Sequence, residues 1–414
     1  MAAPQPQTIW AIGDLHGDAL CAQHWVGRTG LVANLAQPPS AWVWTDAAAH
    51  LVLMGDYIDK GPRSKQTLKL VRALTRRFPS QVTALMGNHE LNLVVDRARE
   101  GGKGHRYLEH VWASAHPAEY LNWLPYSART ENSSWAADRL YETLQTLYTN
   151  GEYGHVLMAP HGPRSIIRHV RGDRQTKAII SAELDRWQQA YLSSFGSATS
   201  LGQWLEQRPI AAIVADTLFV HGGVWPGLTR RELSALASGL SANAGERLLD
   251  GFLAAAPLAQ ELVEDRMLHK SCARVAEAAS SLDVTIIAVG HSPADRVRIS
   301  CDGTLLALDS SLGRWFRSAG NFYCPSSGSA AGADPSAFRC PRLPQECEGQ
   351  IVRLSRKGRG QGGWHVEIVE SEWAAARQRS VAVVLEEGEE GEEAGAMETS
   401  RDQAETTHAK LRRR

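Results

Sequence analysis

The chain has 414 residues, 43% of them hydrophobic, and its 44 basic and 45 acidic residues leave a formal net charge of -1. That length buries a core in one large catalytic domain or two smaller ones. Near-neutrality argues against nucleic acid as a partner, because binding a phosphate backbone calls for a basic surface excess, and no run of 18 uninterrupted apolar residues argues for a membrane span.

The N-terminus, MAAPQPQTIW, lacks the basic start and apolar middle of a secretory signal, so the chain reads as cytoplasmic. The first predicted strand is TIWAIGD (8 to 14). Four more runs share its design: HLVLMGD (50 to 56), VTALMGN (82 to 88), TLFVHGG (217 to 223) and TIIAVGH (285 to 291). Each is β-rich, breaks at glycine, and carries a polar ligand-type residue at the break. Chemistry in α/β sheets sits at such C-terminal strand ends. Between the strands, SKQTLKLVRALTRRF (64 to 78) repeats Leu68, Val71, Leu74 and Phe78 at helical spacing, which makes the architecture a layered α/β one.

After Asn88 the composition changes. Residues 91 to 209, rich in aromatics, histidines and arginines, read as a mostly helical insertion capping the site. From Thr285 to Glu370 the chain returns to strands (VRISCD, TLLALDSS, QIVRLSR, WHVEIVE), which suits a second sheet. A Gly, Ser and Ala-rich loop interrupts them within 324 to 349. Residues 376 to 414 form an acidic, charge-blocked tail read as disordered. The six cysteines, Cys21, Cys272, Cys301, Cys324, Cys340 and Cys347, are thinly spread and read as free thiols in a reducing compartment. A local disulfide in the 324 to 347 cluster is the alternative, since three thiols without a fourth ligand make a poor zinc site.

Taken together, the five breaks deliver Asp14 and His16, Asp56 and Asp59, Asn88 and His89, His221, and His291. Hard oxygen and imidazole donors without a thiolate suit ions of the Mn, Fe and Zn group. A carboxylate shared by two such ions suits phosphate-ester hydrolysis. HGG alone fits an esterase oxyanion loop, but no G-x-S-x-G elbow is present to supply the nucleophile.

GDLHG, GDYIDKG, GNHE, HGG and GH, in that order, resemble the phosphoprotein phosphatase branch of the calcineurin-like metallophosphoesterases. GNHELNLVVD, RPIAAIVADTLFVHGGVWP, GHSP and LDSSLGRWF look most like the Shewanella-like phosphatases. The resemblance implies a two-sheet β-sandwich flanked by helices, spanning residues 8 to 375. It implies two metal ions (Mn, Fe or Zn), one on Asp14, His16 and Asp56, the other on Asp56, Asn88, His221 and His291. It also implies in-line attack by a hydroxide bridging the two ions, with His89 as general acid oriented by Asp59. The implied substrate is a phosphorylated protein or small phosphoester.

Two phosphate-binding arginines are usual in the family. The first position is Lys60 here, and Arg266 in LVEDRMLHK is the nearest match to the second, with Arg274 weaker. Lysine keeps a point charge but loses the planar fork. It also resembles the dinucleoside tetraphosphatase relatives, whose loop reads GDxxAKGP; Asp59, which those relatives lack, favours phosphomonoesters. A dinucleoside polyphosphate hydrolase is the alternative.

Overall fold

The structure, a computed structural model, describes residues 5–99, 115–116, 119, 123, 135–150, 165–241, 258–319, 346–356 and 363–371. The acidic tail and nearly all of the Gly, Ser and Ala-rich loop lie outside those residues.

Each glycine-terminated run becomes a strand followed by a loop. In chain order, β1 (Thr8–Ile12) leads to α1 (Ala19–Arg28), and β2 (Val32–Ala33) pairs with β3 (Val43–Trp44) in a small ribbon. Then come β4 (Ala49–Leu53), α2 (Ser64–Arg77), β5 (Val82–Ala84) and α3 (Asn88–Arg99). The next described elements are helical: α4 (Trp135–Thr149), α5 (Ile166–His169), α6 (Arg174–Ser194) and α7 (Ser200–Glu206). The chain re-enters the sheets at Pro209, whose carbonyl accepts from Met86 N–H at 2.8 Å, so this helical stretch leaves and returns at neighbouring points. The hairpin β6 (Ala211–Val214) and β7 (Thr217–Val220) precedes α8 (Arg230–Ser241) and α9 (Cys272–Leu282). Last come β8 (Ile286–Val289), β9 (Arg298–Ser300), β10 (Leu305–Ala307), α10 (Arg314–Ala319), β11 (Gln350–Arg356) and β12 (Trp364–Glu370).

Two five-stranded mixed sheets result, ordered β12-β11-β1-β4-β5 and β6-β7-β8-β10-β9. β1, β4 and β5 run parallel in the first, and β7, β8 and β10 in the second. The period-2 alternation of strands decides what each face buries. Ile9, Ala11, Val52, Met54, Phe219, Ile286, Ala288, Leu306, Val352 and Leu354 meet between the sheets. Their neighbours Trp10, Ile12, Leu51, Leu53, Leu218, Val220, Ile287, Val289, Leu305 and Ala307 turn outward into a core shared with the helices. Leu68, Val71 and Leu74 of α2 complete that core, at 0%, 1% and 0% exposed.

Two expectations need correction. The segment from Thr285 to Glu370 does not form one sheet: β8, β9 and β10 join the second, whereas β11 and β12 cross to the first. β1 would otherwise expose one unpaired edge inside a buried layer, and β11 supplies those hydrogen bonds antiparallel, Trp10 opposite Arg353. The free-thiol reading also fails for four cysteines. Cys21 of α1 is bonded to Cys347, and Cys272 to Cys301. The first pair is separated by 326 residues and is brought together only because β11 returns beside β1. Thiol titration in denaturant without reductant is therefore expected to find no more than two of the six cysteines. Electrophoretic mobility that does not change on reduction would contradict the long-range pair.

Candidate dimetal site

The parallel strands of both sheets converge at their C-terminal ends, and their loops carry the polar residues. β1 delivers Asp14 and His16, β4 delivers Asp56 and Asp59, and β5 leads into Asn88 and His89 at the start of α3. β7 delivers His221 and β8 delivers His291. All but His291 are buried, at 8% exposure or less. The turns are tight: His16, Asp56, Asp59, Lys60 and His291 all have positive φ, from 43° to 69°, a conformation costly for residues with a Cβ and held by surrounding bonds. Gly87 has to be glycine, because a Cβ there would fall on the Asp56 carboxylate.

Two overlapping donor groups form, each with its ligand atoms within 4.8 Å of one another: His16, Asp56 and His89, and Asp56, His221 and His291. Asp56 belongs to both. Its Oδ1 lies 3.3 Å from His221 Nε2 and its Oδ2 3.8 Å from His16 Nε2. Asp14 Oδ2 is 4.0 Å from His16 Nε2. Asn88 Oδ1 sits between His221 Nε2 and His291 Nδ1, at 3.1 Å and 3.0 Å. Backbone carbonyls fix two of the rings: His221 Nδ1 donates to Met54 O at 2.8 Å and His16 Nδ1 to Ile58 O at 3.4 Å. A carbonyl only accepts, so in each ring Nε2 is the nitrogen left to face the carboxylates, which is how ligating histidines are oriented.

The electrostatics fit a cation. Burial pushes Asp14 well above the usual carboxylate range, and Asp309 beside it adds to the effect. Burial pushes Asp56 the same way, but His221 and His89 overcome it and hold Asp56 well below that range. Burial would lower His221, yet Asp56 and Asp14 lift it to about 10. Burial holds His16 well below its ordinary value and His291 at about 3, so both rings are neutral. Buried carboxylates, with His16 and His291 neutral and His221 drawn to Asp56, offer a cation oxygen and nitrogen donors.

Beside this centre, His89 Nδ1 and Asp59 Oδ2 are 2.5 Å apart, and His89 Nε2 points back to Asp56 Oδ2 at 3.8 Å. Burial opposes a charge on His89, but Asp56 and the Asp59 hydrogen bond prevail and raise its pKa. Lys60 is half-buried, its Nζ 5.9 Å from the Phe316 ring centroid. Burial lowers Lys60 to about 8 against the pull of Asp59 and Asp56. Arg266 is exposed, four residues after the helical Leu262, whose carbonyl accepts from Gly222 N–H and Gly223 N–H at 2.9 Å and 3.0 Å, and its charge reaches His291. Arg63 is exposed at the start of α2, and Arg274 lies in the first turn of α9.

Residues 7–190 match the profile of the calcineurin-like phosphoesterases. That segment is therefore similar to a calcineurin-like metallophosphoesterase domain. Over 87 residues (21% of the chain, 22% of the relative) the sequence is 49% identical to a serine/threonine-protein phosphatase 6 catalytic subunit of Caenorhabditis elegans. Over another 87-residue match (21% and 26%) it is 37% identical to a symmetrical bis(5'-nucleosyl)-tetraphosphatase of Janthinobacterium. The chain therefore spans about a quarter of each of these relatives. A cold-active protein-tyrosine phosphatase from a psychrophilic Shewanella superposes with a TM-score of 0.47 and 17% identity, covering 84% of this chain and 76% of that one.

Sequence reasoning missed Glu90, the last letter of GNHE, which is 0% exposed. Its Oε2 accepts from Asp56 N–H at 2.8 Å and Gly87 N–H at 3.0 Å. Its Oε1 accepts from Tyr57 N–H at 2.8 Å and Ile58 N–H at 3.1 Å. One carboxylate thus moulds the whole metallophosphoesterase turn that carries Asp56. An acid one position past a ligand on a helix reads as a solvated side chain unless the fold is known. Glu90→Gln puts an NH2 against two backbone N–H groups, so a loss of about 2–4 kcal/mol is expected. Chemical denaturation checks it, and an unchanged midpoint would contradict the role.

Proposed function

We propose that this metallophosphoesterase domain hydrolyses phosphomonoesters, with phosphorylated protein as the substrate class and two ions of the Mn, Fe and Zn group as cofactors. The observation that carries the reading is the His89–Asp59 pair, 2.5 Å apart and aimed at the carboxylate of Asp56 that both donor groups share. Asp14, His16 and Asp56 would hold one ion, and Asp56, Asn88, His221 and His291 the other. When bound, such a pair lowers the pKa of a shared water and neutralises phosphoryl oxygens.

The protein's own part is to hold and move protons and to grip phosphate. His89 keeps its Nδ1 proton on Asp59 and donates from Nε2 to the leaving oxygen. Asp59 fixes the ring and favours its charged form. Lys60 and Arg266 would supply positive charge to the phosphate, with Asn88 oriented by the two histidines it bridges. The Asp59–His89 couple favours a monoester leaving group. Lys60, together with the partial match to a nucleosyl-tetraphosphatase, supports the second reading, hydrolysis of a dinucleoside polyphosphate.

With Mn(II) added, phosphopeptides and an aryl phosphate are expected to be cleaved, and dinucleoside polyphosphates more slowly. The reverse order would favour the second reading. His89→Asn is expected to lower kcat about 10²–10⁴-fold with metal content unchanged, and a parallel loss of metal would make His89 a ligand instead. Lys60 carries its charge below about pH 8, so kcat/KM should fall as pH rises through that value. Lys60→Arg should abolish this alkaline limb, and Lys60→Ala should raise KM throughout. A pH profile identical in all three would remove Lys60 from the site.

A further inference from the structure

The helical excursion sends one carboxylate back toward the turn that carries Asp59, and the reading above gives it no part. Glu119 is 1% exposed, and its N–H donates to His116 O at 2.9 Å. Its Oε1 accepts from Ser64 N–H at 2.9 Å, and its Oε2 from the indole Nε1–H of Trp123, one helical turn on, at 3.2 Å. Ser64 is the first residue of α2, and the side chain of Arg63 just before it makes no cap bond. Glu119 therefore caps α2 from a distant segment, at the helix end that favours an anion. Trp123 is itself anchored at the C-terminal end of α6, its ring centroid 4.7 Å from that of Phe195 and 5.6 Å from that of Tyr191.

The capped residue has a second contact. Ser64 Oγ accepts from Asp59 N–H at 2.9 Å. Asp59 has a φ of 69° and Lys60 one of 64°, so this turn keeps its shape only while its backbone is held. Gly61 N–H donates to Asp59 O at 2.7 Å and closes the turn from the other side. Room around the hydroxyl is scarce: a Cβ on Gly17 would lie 2.8 Å from Ser64 Oγ and 2.5 Å from Gly61 O. Of the Asp59 carboxylate oxygens, Oδ2 meets His89, and Oδ1 is buried without a hydrogen-bond partner among the described residues. The aim of that carboxylate is thus set by its backbone, and the backbone is held by Ser64.

We propose that Glu119 is a positioning residue for proton donation to the leaving group: it holds Ser64, whose hydroxyl anchors the Asp59 backbone, so that the Asp59 carboxylate keeps the His89 ring in line. The contacts run from Trp123 through Glu119, Ser64 and Asp59 to His89. Such a residue acts on the step that consumes the proton. When the P–O bond of a phosphoserine breaks, the serine oxygen takes the His89 Nε2 proton, whereas a dinitrophenolate departs as the anion and needs none. The inference rests on His89 as the general acid of the proposed function.

The test measures kcat and KM of the full chain with Mn(II) on a phosphoserine peptide and on dinitrophenyl phosphate, with bound Mn(II) read by elemental analysis after desalting. Glu119→Ala is expected to lower kcat on the peptide about 10–100-fold, the cost of misplacing a catalytic group by about 1 Å. On the dinitrophenyl ester its kcat should change less than about threefold. Bound Mn(II) and the peptide KM should match the parent. Ser64→Ala should show the same split between the esters. The double variant should lose no more than the more impaired single one, because both act through one contact. Should Glu119→Ala not fold by circular dichroism, Glu119→Met, of similar size and without an acceptor oxygen, takes its place. Equal loss on both esters, or lost Mn(II), would reduce Glu119 to a helix cap and overturn the role, as would losses that multiply in the double variant. Parent-like turnover of the peptide by the Glu119 variant, with the split present in His89→Asn, would overturn this role alone. A parent that cleaves neither ester, or a His89→Asn variant without the split, would fail the proposed function and this role with it.

Discussion

The constraint on which the site depends is the burial of several carboxylates at one point. Asp14, Asp56, Asp59 and Asp309 are each at most 2% exposed and lie at the converging ends of strands from two sheets. Charges withdrawn from water in this way are costly unless cations or hydrogen bonds meet them. The surroundings supply both. Histidines stand beside Asp56, backbone N–H groups reach Asp14 and Asp309, and Arg314 covers Asp18 with a bidentate pair. The sandwich can be read as the frame that brings these compensations together: neither sheet alone carries a full donor set, because His221 and His291 belong to one and Asp14, His16 and Asp56 to the other.

Much of this was legible in the chain because five strands end in glycine. The break is forced wherever the backbone must turn within one or two residues, and a polar residue beside such a break stands out against apolar neighbours. The same logic passed over Asp309. Its strand, LLALDSS, ends without glycine, and serines following an aspartate read as an ordinary turn. Glu90 was hidden for a different reason, since three of its four acceptor contacts go to backbone N–H groups of another segment and the fourth to Gly87, and such contacts leave no mark on composition. The crossing of β11 to the first sheet and the Cys21–Cys347 bond share one cause. Both are set by long-range closure of an exposed strand edge, and no local pattern encodes which strand will be available to close it.

Lys60 shows where local reading and environment part. Its position beside the site followed from GDYIDKG, but its character did not. Burial makes it a weakly held proton rather than a permanent charge, which an arginine in the same place would not be. Phe316 belongs to the segment that also carries Arg314 and Asp309, so Lys60 and the GDLHGD loop are trimmed by the same stretch of chain.

The short bond between Met86 N–H and Pro209 O gives the helical excursion between β5 and β6 a common doorway. Glu90, just inside that doorway, already fixes the turn that carries Asp56. Glu119 reaches back from that excursion to accept from Ser64 N–H at 2.9 Å, and Ser64 Oγ accepts from Asp59 N–H at 2.9 Å, so a change beyond α3 is felt at the turn that carries Asp59.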